Sequence, residues 1–170
     1  MAPYVFPGTI VIDTREQRPY TFAGIRADKS EGDGMLTVVT RRGTLASGDY
    51  SLDGHTARVA VERKSKTDLW GTLGKGRARF VRELERLNEM DAALVLVEDQ
   101  LSDVLGKPPA YSRQNPKAIY RTILAFWVRF PRVSWAFVPG REFAESTAFR
   151  YLQRYLIEWE RGENERRNQH

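Results

Sequence analysis

Apolar residues along the chain fall into short blocks whose spacing switches between strand and helix periods. After Pro7-Gly8, the run Thr9-Ile-Val-Ile-Asp13 predicts a buried strand that ends on an acid. A polar loop over Asp28–Gly34 follows, then Leu36-Thr-Val-Val-Thr40 as a second strand with Arg41-Arg42-Gly43 as its turn. Arg58-Val-Ala-Val-Glu-Arg-Lys64 is β-branched and alternating, so Glu62 and Lys64 leave the same face of a strand. Gly71, Gly74 and Gly76 make a poor helix interior, which sets the start of the first long helix near Gly76. Its predicted core face is Phe80, Leu84, Leu87 and Asp91, with Arg79, Arg82, Arg86 and Glu89 opposite. Ala92-Ala-Leu-Val-Leu-Val-Glu98 is uninterrupted and predicts a strand buried on both faces. Asn115-Pro116 caps and starts a helix to about Phe130, Val133–Val138 is a further strand, and a last amphipathic helix runs from Glu142 to Trp159.

Opening strands followed by alternating helices and strands predict an α/β fold, a mixed central sheet in a three-layer α/β/α sandwich. The chain has 170 residues, which suits one domain over residues 1–160, with no internal repeat. Residues 161–170 are polar and aperiodic and read as a frayed tail. Cysteine is absent, which removes disulfides, zinc ribbons and thiol catalysis; the two histidines, His55 and His170, are too few for a His-ligated site. The opening residues do not form a signal peptide and no apolar stretch is long enough to span a membrane, so a soluble cytoplasmic protein is expected.

The net charge of +5 gains meaning from its distribution. Between Asp103 and Glu142 there is no acid, while Lys107, Arg113, Lys117, Arg121, Arg129, Arg132 and Arg141 carry positive charge. A phosphate-binding surface requires that kind of concentration. In the Asn115–Phe130 helix, Lys117, Arg121 and Arg129 lie opposite a face of Ile119, Tyr120, Ile123, Leu124, Phe126, Trp127 and Phe130. That apolar face reads as core or interface.

The strongest chemical signal is Gly48-Asp49, a gap of twelve residues, then Glu62-Arg63-Lys64 and Asp68. A Glu-x-Lys alone usually marks a solvated strand edge. With the preceding acid it supplies what a metal-dependent phosphodiesterase needs: Asp49 and Glu62 as oxygen ligands for a hard divalent cation, and Lys64 beside the attacking water. Mg²⁺ is the expected ion, with Mn²⁺ a substitute. Arg63 points to the other face of an ideal strand, although its backbone carbonyl remains within reach of a metal shell. Asp68 is a catalytic candidate, against the reading of a helix cap or a positioning group. Asp13 is a candidate third carboxylate, catalytic and metal-ligating, against the plainer reading of a turn-initiating acid. Arg15 is a candidate DNA contact, against the plainer reading of an ion pair with Glu16 beside the site, and Arg77 a phosphate contact near a helix N-terminus.

These residues resemble the signature of the XPF nuclease family, a Gly-Asp, a spacer, then Glu-Arg-Lys-x-x-x-Asp. Ile12-Asp13-Thr14-Arg15-Glu16 is similar to its upstream Asp-x-Arg-Glu element, and Gly74-Lys75-Gly76-Arg77 to its small-residue turn; the likeness covers roughly residues 9–99. The resemblance implies a restriction-endonuclease-like fold, cleavage of DNA at duplex/single-strand junctions, Arg63 as part of the working motif, and paired nuclease domains. Helicase motifs and tandem helix-hairpin-helix elements are not seen in the sequence, so a stand-alone form aided by a helper DNA-binding or helicase protein is expected. Two alternatives stay open: a catalytically idle DNA-binding module, and a sequence-specific restriction-type nuclease.

Overall fold

The computed structural model describes residues 4–169. Six strands form one mixed sheet: β1 (Val5–Asp13), β2 (Thr37–Gly43), β3 (Tyr50–Leu52), β4 (Val59–Lys64), β5 (Ala92–Val97) and β6 (Val133–Phe137). Their spatial order is β2-β1-β3-β4-β5-β6. β1 is antiparallel to β3 and β3 to β4, while β1–β2, β4–β5 and β5–β6 are parallel. Five helices complete the fold: α1 (Lys66–Leu73), α2 (Arg77–Asn88), α3 (Leu101–Gly106), α4 (Pro116–Arg129) and α5 (Arg141–Arg167).

Strand alternation divides the core into two layers. Val59, Val61, Leu94 and Leu96 pack with Phe149 and Leu152 of α5 and with the Tyr20–Leu36 segment. Ala60, Ala93, Val95 and Val97 pack with α1, α2, α3 and α4 through Trp70, Phe80, Leu84, Ile123 and Phe126. The result is the α/β/α sandwich with a mixed sheet that the element order predicts. β5 is buried along nearly its whole length, as its unbroken apolar run requires.

Several boundaries differ from those the sequence predicts. β1 begins at Val5, its pairing with β2 shifting register between Val5 and Thr9. Arg41, Arg42 and Gly43 are not a turn; they continue β2 because each pairs with Val11, Ile12 or Asp13. α1 tolerates Gly71 because Ser65 starts it, accepting the Asp68 N–H, and Trp70 anchors it by donating Nε1–H to the Val104 carbonyl at 3.1 Å. Asp91 lies beyond α2, exposed, and pairs with Arg58 rather than facing the core. α5 runs on to Arg167 through the predicted tail. Ion pairs one turn apart, Arg154–Glu158, Arg161–Glu165 and Arg166–Glu163, support a helix there that apolar periodicity does not mark.

Candidate active site

The approach to Asp49 depends on the backbone of Gly48. Its φ is +81°, and a Cβ there would sit 2.8 Å from Ala60 Cβ and 3.2 Å from the Val61 carbonyl oxygen, so only glycine fits. Asp49 follows, pinned from several sides. Its N–H donates to the Val61 carbonyl at 2.8 Å and its carbonyl accepts from the Asp13 N–H at 2.8 Å. Its Oδ2 accepts the Arg63 N–H at 2.8 Å. The carboxylate is thereby fixed against β4 one residue from Glu62.

Alternation along β4 sends Glu62 and Lys64 to the α1–α2 side and Arg63 to the α5 side. Lys64 Nζ contacts Glu62 Oε1 at 2.6 Å and lies 5.1 Å from the centre of the Phe80 ring on α2. These groups line an open cleft of about 530 Å³, with Gly48 and Asp49 on one wall, α1 on another and Arg79 and Glu83 of α2 on a third. α1 offers Thr67, Gly71 and Thr72 to it, and a Cβ at Gly71 would meet nothing within 4 Å. A polymer backbone can therefore approach the carboxylates closely along this wall.

Electrostatics mark the same pair. Burial and then the neighbouring Glu62 push the Asp49 carboxyl up to about 8, and burial pushes Glu62 up as well, against the pull of Lys64. Two buried carboxyls that resist ionising together are a fit for a divalent cation, whose charge removes the conflict. Among the described residues the protein donates no hydrogen bond to Asp49 Oδ1 or Glu62 Oε2, which leaves one hard oxygen on each for an ion. The set ends at two: among the described residues no three His, Cys, Asp or Glu side chains converge as a metal site.

Asp13 is thus not placed as a third ligand. Its oxygens accept Arg15 N–H at 2.9 Å, Arg15 Nε–H at 2.7 Å, Arg15 Nη2–H at 3.1 Å and Leu45 N–H at 2.7 Å. Burial works to raise its carboxyl, but these donors hold it below the usual range. Asp13 braces the end of β1, and Arg15, whose side chain is largely exposed, covers it at the edge of the cleft. Arg63 does not enter the cleft either. Its guanidinium pairs with Glu16 at 3.0 Å and Glu98 at 3.2 Å, while Tyr20 and Arg141 also bond Glu98. Of Arg63 only the backbone serves the site, by its N–H to Asp49. Glu16 accordingly belongs to this cluster behind the sheet and not to Arg15. Asp68 lines the cleft wall but is not the cap of α1: that is Ser65, whose Oγ accepts the Asp68 N–H and donates to the Asp68 carboxylate at 2.6 Å.

The basic candidates also separate. Arg77 lies at the start of α2 with its guanidinium 5.7 Å from the Phe126 ring, on the buried face of α4 and so away from the exposed Lys117 and Arg121. Arg129 is paired with Glu85 at 3.2 Å and so is the least available of the set. Sequence reading missed Glu83 and Arg79 in the cleft. Arg79 was set on the outer face of α2, and Glu83 had only one weak signal, its place three residues after Phe80 at the margin of the buried stripe.

The ERCC4 domain family model matches residues 12–149. Among solved structures, one described as "XPF from Aeropyrum pernix" aligns with a TM-score of 0.59 at 21% identity, covering 88% of this chain and 65% of that one. Another, "XPF from Aeropyrum pernix, complex with DNA", aligns with a TM-score of 0.58 at 21% identity over 89% and 66%. The chain spans just under two thirds of the length of those two chains, and likeness at this identity establishes the shared fold. No curated protein matches the sequence.

Proposed function

The chain belongs to the ERCC4 domain family, the XPF type of nuclease domain, and on that premise we propose that it is a Mg²⁺-dependent DNA endonuclease, with Mn²⁺ as a substitute ion, selective for branched or flap junctions. One observation carries the reading: the paired Asp49 and Glu62 carboxyls, with the Lys64 ammonium beside them, at the base of a cleft whose α1 wall is made of small residues. DNA as the substrate is supported by the DNA complex of the similar structure and by the exposed Lys117 and Arg121 on the outer side of α4. Junction selectivity rests on family resemblance.

A Mg²⁺ bound by Asp49 and Glu62 would polarise the scissile phosphate and acidify an attacking water. The protein's own part is to hold those carboxylates rigid through β3 and β4 and to bring Lys64 to the phosphate. As water oxygen bonds to phosphorus and the sugar oxygen leaves, negative charge grows on the phosphoryl oxygens, where the Lys64 ammonium stabilises it. Phe80 supports that ammonium from the α2 side. The deciding experiment is a Mg²⁺ cleavage assay on flap, fork and linear duplex DNA. Cleavage of branched substrates supports the reading; equal cutting of all, cutting only at a defined sequence, or binding without cutting defeats it in three distinguishable ways.

The basic stripe of α4 gives a second test. Replacing Lys117 and Arg121 with Ala should weaken DNA binding and reduce the slope of log affinity against log salt by about 0.9 for each lost phosphate contact. Arg129→Ala should change it least, since that guanidinium is already paired. An unchanged slope in the double variant would make this a merely solvated helix face.

We further propose a homodimer. Tyr120, Leu124 and Trp127 are exposed along one flank of α4, and Val128, exposed to 83%, lies where that flank borders the Lys117 and Arg121 stripe. α4 and α5 lie on opposite faces of the sheet, so α4 alone offers the simpler continuous patch. Light scattering at micromolar concentration should give twice the chain mass, and Trp127→Glu with Val128→Glu should give the monomer. A monomer mass for the wild-type protein removes the proposal.

A further inference from the structure

Ser47 and Gly48, the two residues before Asp49, are held by side chains of a different layer. Glu83 on α2 accepts the Gly48 N–H on Oε1 at 3.0 Å. Its other oxygen bonds Arg86, whose Nε–H donates to Ser47 Oγ at 2.9 Å. Glu83 and Arg86 therefore grip the turn from the helix that also presents Phe80 to Lys64.

The grip matters because of where the freedom lies. Backbone bonds to β1 and β4 fix the peptide groups of Asp49 itself, whereas the peptide joining Ser47 to Gly48 has Glu83 as its N–H acceptor. Gly48 adopts a left-handed φ that imposes no preference of its own on a residue without Cβ. Gly48 is buried, so losing the acceptor would leave an unsatisfied N–H and favour rotation of that peptide. Rotation there changes the φ at which Gly48 feeds into Asp49, and the carboxylate shifts to the extent that its bonds to Val61, Asp13 and Arg63 yield.

We propose that Glu83 is a positioning residue that sets the Asp49 carboxylate through the Gly48 N–H, with Arg86 orienting Glu83. This rests on the nuclease reading for its catalytic consequence, but the geometric part stands apart from it. Misplacing a reacting group by about 1 Å costs on the order of 10²-fold in rate. Glu83→Ala should therefore lower the single-turnover cleavage rate by roughly ten- to a hundredfold while leaving DNA affinity near that of the wild type. Glu83→Gln, which keeps an oxygen facing Gly48, should recover most of the loss. Arg86→Ala should fall between the two.

The test pairs that rate series with the Gly48 amide in ¹H–¹⁵N spectra and with Mn²⁺ affinity measured by electron paramagnetic resonance, all on the full chain. The expected result is an upfield-shifted, faster-exchanging Gly48 amide and weaker Mn²⁺ binding in Glu83→Ala, with both largely restored in Glu83→Gln. A Gly48 amide unchanged in Glu83→Ala overturns the proposal, as does equal impairment of the Ala and Gln variants, which would make charge the operative property. If wild-type protein binds DNA without cutting it, the nuclease reading fails, while the amide and Mn²⁺ series still decides the role of Glu83.

Discussion

Asp49→Asn and Glu62→Gln should each lower Mg²⁺-dependent cleavage by at least about 10³-fold while DNA binding persists. Each exchange keeps the side chain's shape and removes one of two ligand charges. Metal stabilisation of a phosphoryl transition state contributes several kcal/mol, at about 1.36 kcal/mol per factor of ten. A near-wild-type rate in either variant would end the ligand assignment. Asp49→Asn carries a second expectation of opposite sign. Burial and then Glu62 push the folded carboxyl up to about 8 from an ordinary 3.8, so between these pH values the folded state holds a proton that the unfolded chain has released. Stability of the ion-free protein from this group therefore falls as pH rises from about 4 to 8. In chelator at pH 8, Asp49→Asn should melt higher than the wild type by at least about 2–4 °C, equivalent to about 1 kcal/mol in a chain of this size. The gap should close as pH falls toward 4 and shrink on adding Mg²⁺, which stabilises only the wild type. A lower melting temperature for the variant at pH 8 would show that the buried carboxylate is not the burden its surroundings imply.

Lys64→Ala should separate chemistry from binding. On the proposed mechanism its ammonium would lie where charge accumulates as phosphorus is attacked, so the loss should fall on the chemical step, at least about a hundredfold, the usual effect of removing one preorganised donor. DNA affinity, spread over many phosphate contacts, should change little. Single-turnover kinetics with saturating enzyme provide the measurement. A rate that recovers fully at higher enzyme concentration would make Lys64 a binding residue. One secondary effect is expected: without Lys64, Glu62 loses its 2.6 Å partner, so ion-free protein should be less stable at neutral pH than the wild type.

The sequence disclosed the sheet and the face on which Glu62 and Lys64 emerge, because strand alternation is a local property of Val59–Lys64. It disclosed α2 and α4 for the same reason, their apolar spacing being strong. What it concealed was set by partners distant in the chain. Nothing near Asp13 shows that the Leu45 N–H will reach its carboxylate, and nothing near Arg63 shows that Glu16 and Glu98 await it on the other face. Glu83 was hidden because a glutamate at the edge of a helical stripe looks like any solvated side chain until Gly48 is laid against it. The extension of α5 to Arg167 was hidden by the opposite weakness: charge pairing supports the helix there, and apolar periodicity has nothing to report.

The alternation of β4 has a consequence for how the chain finds its pairing. A slip of one residue between β4 and its neighbours would turn Glu62 and Lys64 toward the α5 side and bring Arg63 into the cleft. Glu62 would then meet Glu16 and Glu98, two acids that now hold Arg63, and Arg63 would be left facing the cleft without them. For an ordinary apolar strand such a slip exchanges one greasy face for another. Here a slip that puts Glu62 in the place of Arg63 sets like charges together in a poorly hydrated place, so the charged stretch disfavours that misaligned sheet during folding.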